Sequence, residues 1–408
     1  MKIGEVSREY KVSVDNIYYY INLGLLVPLR PKGQYYFDRQ TLRDLELILD
    51  LKKMYFSLKE IHEILSLYRI SGLTNRQDIE DLKKIYGIKL DNLHAEKEQI
   101  KDNITKLQEN ISQLNQILPI KPIKTGLPVN MLDLLCCPKC GSSLTLDNVN
   151  MNQIYIFNGK LHCDCGYKAS IEDGILLTPN KNSDIYDTPD VDRKVYKDLP
   201  PSLISLFQKS YNWMVEQINH MDLAGKVVLE TYVNAWFFMH NHQQHLDPKG
   251  KYIVIDKYPE TLYVFKELME QYDYNLDILF IADSSTDFPL RKHCIDLNID
   301  YFAVNEHNFY HNSFLYDELY PYISDTGKML GTYFYFVNGQ KSMKKLLNEY
   351  PTCSKDNFDL SYFMSHMSEH IIDFKDCGYT TSSGNNIGFS FHQDGEKMYL
   401  RSYLASMY

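Results

Sequence analysis

The chain has 408 residues, of which 44% are apolar, and a formal net charge of −10. At roughly 100–200 residues per domain this length predicts two to four domains; the apolar content excludes a disordered chain, and no apolar run reaches the ~18 residues of a membrane span. Residues 1–125 hold 20 Lys+Arg against 17 Asp+Glu and the remainder 23 against 36, so a nucleic-acid partner suits the front of the chain and not the acidic rest. The opening MKIGEVSREYK is charged and unlike a secretory signal, which makes the cytoplasm the expected compartment.

Ile3 to Val12 reads as a short amphipathic helix. Ser13 then stands at the N-cap of a second helix, Val14–Leu23, and Gly24 follows where a left-handed terminator belongs. Two short extended runs, Val27–Arg30 and Tyr35–Phe37, flank a turn at Gly33. This is a helix-turn-helix with a β-wing, whose second helix is expected in the major groove of double-stranded DNA. Ser13, Asn16, Tyr18, Tyr19, Arg30, Lys32 and Tyr35 are the expected DNA contacts, with Arg30 and Lys32 on phosphate; Tyr20 reads equally well as core.

IGEVSREYKVSVDNIYYYINLGLLVP and, further on, FSLKEIHEIL (Phe56–Leu65) resemble the MerR family of transcription regulators, from about Met1 to Leu67 without a gap. The resemblance implies promoter binding, homodimerisation and control of RNA polymerase by reshaping promoter DNA. Asp15 and Tyr18 stand where the family usually carries basic residues, and Tyr35 where it carries an Arg, which implies an altered base preference.

Beyond Gly72 the chain turns charged and helical. Leu93, Ile100, Ile104, Leu107, Ile111, Leu114 and Leu118 alternate spacings of three and four, with Lys97 in the remaining slot. That heptad seam predicts a coiled-coil dimerisation helix over 73–120, ended by Pro119 and Pro122. A linker, KPIKTGLP, follows.

Cys137 and Cys140 form a Cys-x2-Cys knuckle, and Cys163 and Cys165 a tighter Cys-x-Cys pair, each followed by a glycine. Four thiolates suit a closed tetrahedral structural zinc, with Cys136 as an alternative to Cys137. A zinc ribbon over 121–180 is too short for a core of its own, so metal is expected to fold it. This stretch resembles the ribbon that precedes the catalytic domain of certain rRNA guanine methyltransferases.

In 181–408, GKVVL (Gly225–Leu229), KYIVID (Lys251–Asp256), DILFIAD (Asp277–Asp283), part of Ile295–Val304, and GKMLGTYFYF (Gly327–Phe336) read as strands separated by helical segments such as Pro259–Tyr272. The alternation predicts a doubly wound parallel sheet with its ligand beyond the carboxyl ends of the strands; Asp376–Tyr408 reads as closing strands. The whole is a multidomain α+β and α/β chain. From about Leu203 to Phe336 it resembles a class I S-adenosylmethionine-dependent methyltransferase. By that resemblance Glu230 opens the first motif, Asp256 is the ribose-binding acid, Ala282 and Asp283 contact adenine, and Asn305–Tyr310 faces the substrate.

The first motif departs from the family. Tyr232, Asn234 and Trp236 replace its three glycines, which let the backbone approach the cofactor. Productive S-adenosylmethionine binding is therefore not expected, and the domain is expected not to be an enzyme. Tyr232, Asn234, Trp236 and Phe237, with Asp256, Asp283, Asn305, Glu306 and His307, are the expected lining of a pocket for a small aromatic, even cationic, effector, unless the aromatics fill the old site. The function expected is a one-component, ligand-sensing MerR-type activator. The alternatives are an active rRNA or small-molecule methyltransferase fused to a DNA-binding head, told apart by the residues at 232, 234 and 236, and a protein-interaction platform. His240, His242 and His245 lack an acidic or thiol partner in sequence and read as non-ligating.

Overall fold

The computed structural model describes residues 1–116, 124–184, 187–271 and 276–406. The chain divides into two compact units, Met1–Leu118 and Pro119–Tyr408. Leu118 of the seam, the prolines 119 and 122, and Tyr272 lie outside the described residues.

The first unit is helical: α1 (Ile3–Tyr10), α2 (Val14–Asn22), α3 (Arg39–Lys53), α4 (Leu58–Ser66) and α5 (Arg76–Gln116). Its helix starts are written locally. The Ser13 hydroxyl accepts from the Asn16 N–H at 3.2 Å, Asp38 accepts from the Thr41 N–H at 2.8 Å, and Ser57 and Glu60 form a reciprocal capping box. Gly24 takes the left-handed conformation after α2, with φ +73°. The wing is a pair of bridges joining Tyr36 to Leu29 and to Lys2. Val6, Ile17, Tyr20, Leu26, Phe37, Leu45 and Ile64 close one small core, each such side chain contributing about 1.5–3 kcal/mol on full burial. Arg69 bonds the carbonyls of Gly24 and Leu25 and pairs with Asp44 at 2.8 Å, which fastens the end of α2 to α3. In α5 the seam is bare: Ile100, Ile104, Leu107, Ile111 and Leu114 are 49–67% exposed. Among the described residues no helix is long and apolar enough to cross a membrane.

The second unit is built on one sheet of β1 (Leu127–Pro128), β2 (Thr145–Met151), β3 (Tyr155–His162), β4 (Lys168–Glu172), β5 (Ile175–Leu177), β6 (Val227–Thr231), β7 (Lys251–Asp256), β8 (Asp277–Ala282), β9 (Ile295–Tyr301), β10 (Ile323–Phe336), β11 (Ile371–Thr380) and β12 (Met398–Ser406). Their order is β1-β3-β4-β5-β8-β7-β6-β9-β10-β12-β11, with β2 on β3. The centre, β8-β7-β6-β9-β10, is parallel, and the order reverses between β6 and β9, the position at which doubly wound sheets bind ligands. Helices α6 (Pro201–Asn219), α7 (Phe238–Asn241), α8 (Pro259–Glu270) and α9 (Ala303–Tyr310) follow in chain order.

One expectation is corrected by this topology. The ribbon strands are not a coreless appendage: β5 pairs in parallel with β8, Ile175 opposite Phe280. Ile156, Leu161, Ile171 and Leu176 pack in the same cluster as Leu229, Ile253 and Leu279. Apolar faces at the edge of a sheet join the nearest available core, so the ribbon borrows the stability that the short segment lacks by itself.

Candidate functional site

On the head, α1, α2 and the wing surround a groove of about 620 Å³ lined by Lys2, Arg8, Tyr18, Arg30, Gln34 and Tyr35. The Tyr18 and Tyr35 rings meet edge-on at 5.9 Å, and the Arg30 guanidinium lies 4.9 Å above Tyr35. Asn16, Tyr18 and Tyr19 are exposed, and Lys32 projects from the wing in the left-handed conformation. Ser13 is spent on its helix cap, while Tyr20 is core at 7% exposure. Lys2 and Arg8, which are not among the DNA contacts expected from the sequence, add charge to this face; the signal for them is the spacing of basic residues along α1.

The four cysteines converge. Their Sγ atoms all lie within 4.8 Å of one another, with Cys137 3.3 Å from Cys165 and Cys140 3.4 Å from Cys163. Each knuckle turns on a glycine N–H that bonds back to the first cysteine's carbonyl, Gly141 to Cys137 and Gly166 to Cys163. Cys136 is not one of the four; its backbone N–H donates to the Pro289 carbonyl. Hydrogen bonds from Ser142 hold the Cys140 thiol below its usual range, which favours the ligating thiolate. The cluster could hold a metal ion, and among the described residues no other group of His, Cys, Asp and Glu does so.

At the carboxyl ends of β6, β7 and β8 lies a cavity of about 240 Å³, lined by Thr231, Tyr232, Asp256, Lys257, Asp283, Phe288 and Tyr310, among others. The chain leaves β6 through Tyr232 in the left-handed conformation, φ +58°, which costs a non-glycine residue about 1–2 kcal/mol. Its phenol meets His307 Nδ1 at 2.7 Å. Asp256 accepts from the N–H groups of Asn234 and Tyr258 at 2.9 and 3.0 Å, and burial pushes its carboxyl up to about 6. Asp283 accepts from Ser285 with one oxygen; its other oxygen, and the Thr231 hydroxyl, are buried without a partner. Lys257 pairs with Asp187 at 2.6 Å and lies 3.7 Å over the Tyr310 ring. Burial raises Glu306 to about 7, with Asp256 the next cause, and lowers His307 to about 4.

The expected pocket residues therefore separate. Tyr232, Asp256 and Asp283 line the cavity, His307 supports Tyr232, and Glu306 lies in the field of Asp256 and Lys257. Asn234 is a brace, its side chain bonded to Thr261 and to the Asp190 N–H. Asn305 is tied to Asn357 and Phe334. Trp236 and Phe237 do not line it. Trp236 packs among Tyr196, Phe207 and Phe302 at 4.6–6.2 Å and Phe237 is fully buried, because the aromatic core gains more from these rings than a wet cleft does. Asn182 and Asp187, from the segment after the ribbon, and Lys257 also line the cavity; no local pattern marked them.

Residues 1–67 match the family described as MerR HTH family regulatory protein, so this head is a MerR helix-turn-helix domain. That family implies DNA binding and dimerisation. No curated protein matches the chain. Its second unit is similar to solved structures of S-adenosylmethionine-dependent methyltransferases. One is a methyltransferase from Aquifex aeolicus, at 14% identity over 54% of this chain and 100% of that one, with a TM-score of 0.32. Another is geranyl diphosphate methyltransferase in complex with S-adenosylmethionine, at 10% identity over 55% and 93%, with a TM-score of 0.39. The unit is also similar to the crystal structure of MccD protein, at 11% identity over 48% of this chain and 96% of that one, with a TM-score of 0.38. The expectation that this unit is no enzyme is overturned: solved structures that it is similar to include methyltransferases, and of the three residues on which that expectation rested, Trp236 is turned into the core and Asn234 is a brace, so that Tyr232 alone lines the cavity. The exclusion of S-adenosylmethionine loses its support with it.

Proposed function

We propose that the chain is a dimeric MerR-type regulator whose α/β unit binds a small, flat molecule bearing hydrogen-bond donors, and that this occupancy controls how the head reshapes promoter DNA for RNA polymerase. One observation carries the ligand: the Thr231 hydroxyl and one Asp283 oxygen are buried, unpartnered and on the wall of an open cavity. Buried polar atoms left without partners are rare and costly, and both of these can accept a donor. Tyr232, Phe288 and Tyr310 supply aromatic walls. The five bare aliphatics of α5 suit a second copy of the helix, and zinc suits the four thiolates. A regulator of promoters works in the compartment that holds the DNA, the cytoplasm.

A second reading is methyl transfer in the same cavity. Asp256 and Asp283 at the ends of adjacent strands favour it, since the adenosine part of S-adenosylmethionine is flat and carries amino and hydroxyl donors. Calorimetric titration of the full chain with S-adenosylmethionine, S-adenosylhomocysteine and a panel of aromatic amines tests both. One of these probes is expected to bind, and Asp283→Asn to weaken it about tenfold or more. Absence of binding by every probe defeats the cavity reading, and accumulation of S-adenosylhomocysteine from S-adenosylmethionine makes the unit an enzyme.

A further inference from the structure

A second group of unsatisfied polar atoms lies behind the β6 turn, in side chains that do not line the cavity. Arg193 Nε and His240 Nε2 are each buried without a hydrogen-bond partner, and the buried Tyr196 hydroxyl, beside the donors of Arg193, the Phe237 N–H and the Asn241 amide, has no acceptor for its own hydrogen. The Arg193 guanidinium lies 4.3 Å over the Tyr196 ring and 5.9 Å from the Phe265 ring, and the His240 ring lies 5.4 Å from Phe265. These three side chains therefore share one neighbourhood, walled by Phe237, Phe265 and Trp236.

The backbone that presents Arg193 is fixed from both sides. Asp190 accepts from the N–H groups of Lys194 and Val195 at 2.8 and 2.9 Å. The Asn386 amide donates to the carbonyls of Val195 and Lys197 at 2.8 and 2.7 Å. Arg193 itself sits in the left-handed conformation, φ +52°, a strain that such clamping sustains. On the other side, His240 Nδ1 faces the Asn241 side-chain oxygen at 3.1 Å, which fixes the ring so that Nε2 is directed away from that bond.

We infer that Arg193, Tyr196 and His240 form a site for a small anionic group, a carboxylate or a phosphate. A guanidinium cannot shed its proton and offers only donors; stacking on aromatic faces offsets part of its burial, but no ring accepts the in-plane Nε–H. The Tyr196 hydroxyl is a second donor. His240 Nε2 accepts from a protonated oxygen, or donates once protonated beside the anion. A cation would face the guanidinium, and an apolar group would leave all three atoms unsatisfied.

The test uses the full-length protein, melted with tryptophan fluorescence as readout, in sodium phosphate, sodium acetate and sodium chloride at equal ionic strength. Phosphate or acetate is expected to raise the midpoint by about 2 °C over chloride, and the more effective of the two identifies the group. Tyr196→Phe, which keeps the ring beside Trp236, should shrink the shift, and Arg193→Gln should remove it. A wild-type midpoint equal in all three salts would mean that water suffices at these atoms and overturns the site. A shift that survives Arg193→Gln would assign the anion to the basic face of the head and overturns it equally.

Discussion

The helix-capping carboxylates of the head and the fully buried carboxylates of the α/β unit behave in opposite ways. In the head, Asp38 and Glu60 are held below the usual range, Asp38 by the Thr41 backbone N–H and Glu60 by Ser57, since both cap helix starts. In the α/β unit, burial pushes Glu230 up to about 8, Glu306 to about 7, and Asp256 and Asp300 to about 6. The head uses acids to finish local structure and keeps its working surface exposed. The α/β unit takes acids out of water and arranges them around backbone N–H groups and a cavity. A surface that meets DNA needs only correct helices; an interior that meets a small molecule needs unsatisfied polarity, and burial is how that polarity is held.

The largest expected effect follows from the head's exposed seam. Ile104→Asp together with Ile111→Asp should give monomers by sedimentation, and operator affinity should fall about 100-fold or more because two half-sites are no longer linked. Dimers of wild-type affinity would show that α5 pairs by another face. Next in size is the ribbon. Cys140→Ser should release the metal from a stoichiometry of one per chain, by elemental analysis. Because β3, β4 and β5 share the core of the main sheet, the unit should stay folded with a midpoint lower by about 5 °C or more. Loss of all structure would mean that metal, not the shared core, folds this part.

The contrast in carboxylates sets a third outcome, read by hydrogen exchange on peptides of each unit. Glu230 and Glu306 have folded pKa values raised above their unfolded ones. Between the unfolded value of 4.5 and these folded values the unfolded chain has lost protons that the folded chain retains, so stability falls as pH rises. His240, His242, His307 and His311 are lowered by burial and act in the opposite sense below about 6.5. Above about pH 7 the histidines are neutral in both states, and with metal holding the Cys140 thiolate, whose lowered value would otherwise act in the opposite sense, the buried carboxyls dominate up to about pH 8, so the metal-loaded α/β unit should lose protection. The head should not, because Asp38 and Glu60 are ionised in both states there. Equal loss in both units would show that these acids are not buried as described.

Legibility divides along the same line. The Ser13 cap, the Gly24 terminator, the heptad spacing and the cysteine pairs are local, and each stands where the sequence places it. Asp256 at the end of β7 and Asp283 just after β8 were also legible, since a buried strand that runs into a carboxylate carries its own signal. What followed the strands was not. Periodicity says nothing about which way a chain turns after φ +58° at Tyr232, so Trp236 was assigned to the cleft and lies in the core. The β5–β8 pairing joins residues about 100 positions apart, and Asn182 and Asp187 reach the cavity only through it. Lys257 stood beside Asp256 in the sequence, but its place over Tyr310 depends on packing that no local pattern encodes.

The smallest expected effect is the sharpest. Thr231 ends β6 with 2% of its surface exposed, and its hydroxyl has no partner. Valine has nearly the same shape and the same branching at Cβ, so Thr231→Val keeps the strand and the packing and removes only a desolvated hydroxyl. Without ligand that change should stabilise the α/β unit by about 1 kcal/mol, measured as a rise in its denaturation midpoint. With ligand it should weaken binding several-fold, because the acceptor is gone. The two signs together are what a site held at the expense of stability requires. A destabilised Thr231→Val would mean that water already satisfies the hydroxyl, and would leave Asp283, among the described residues that line the cavity, as the sole one with a buried, unpartnered polar atom.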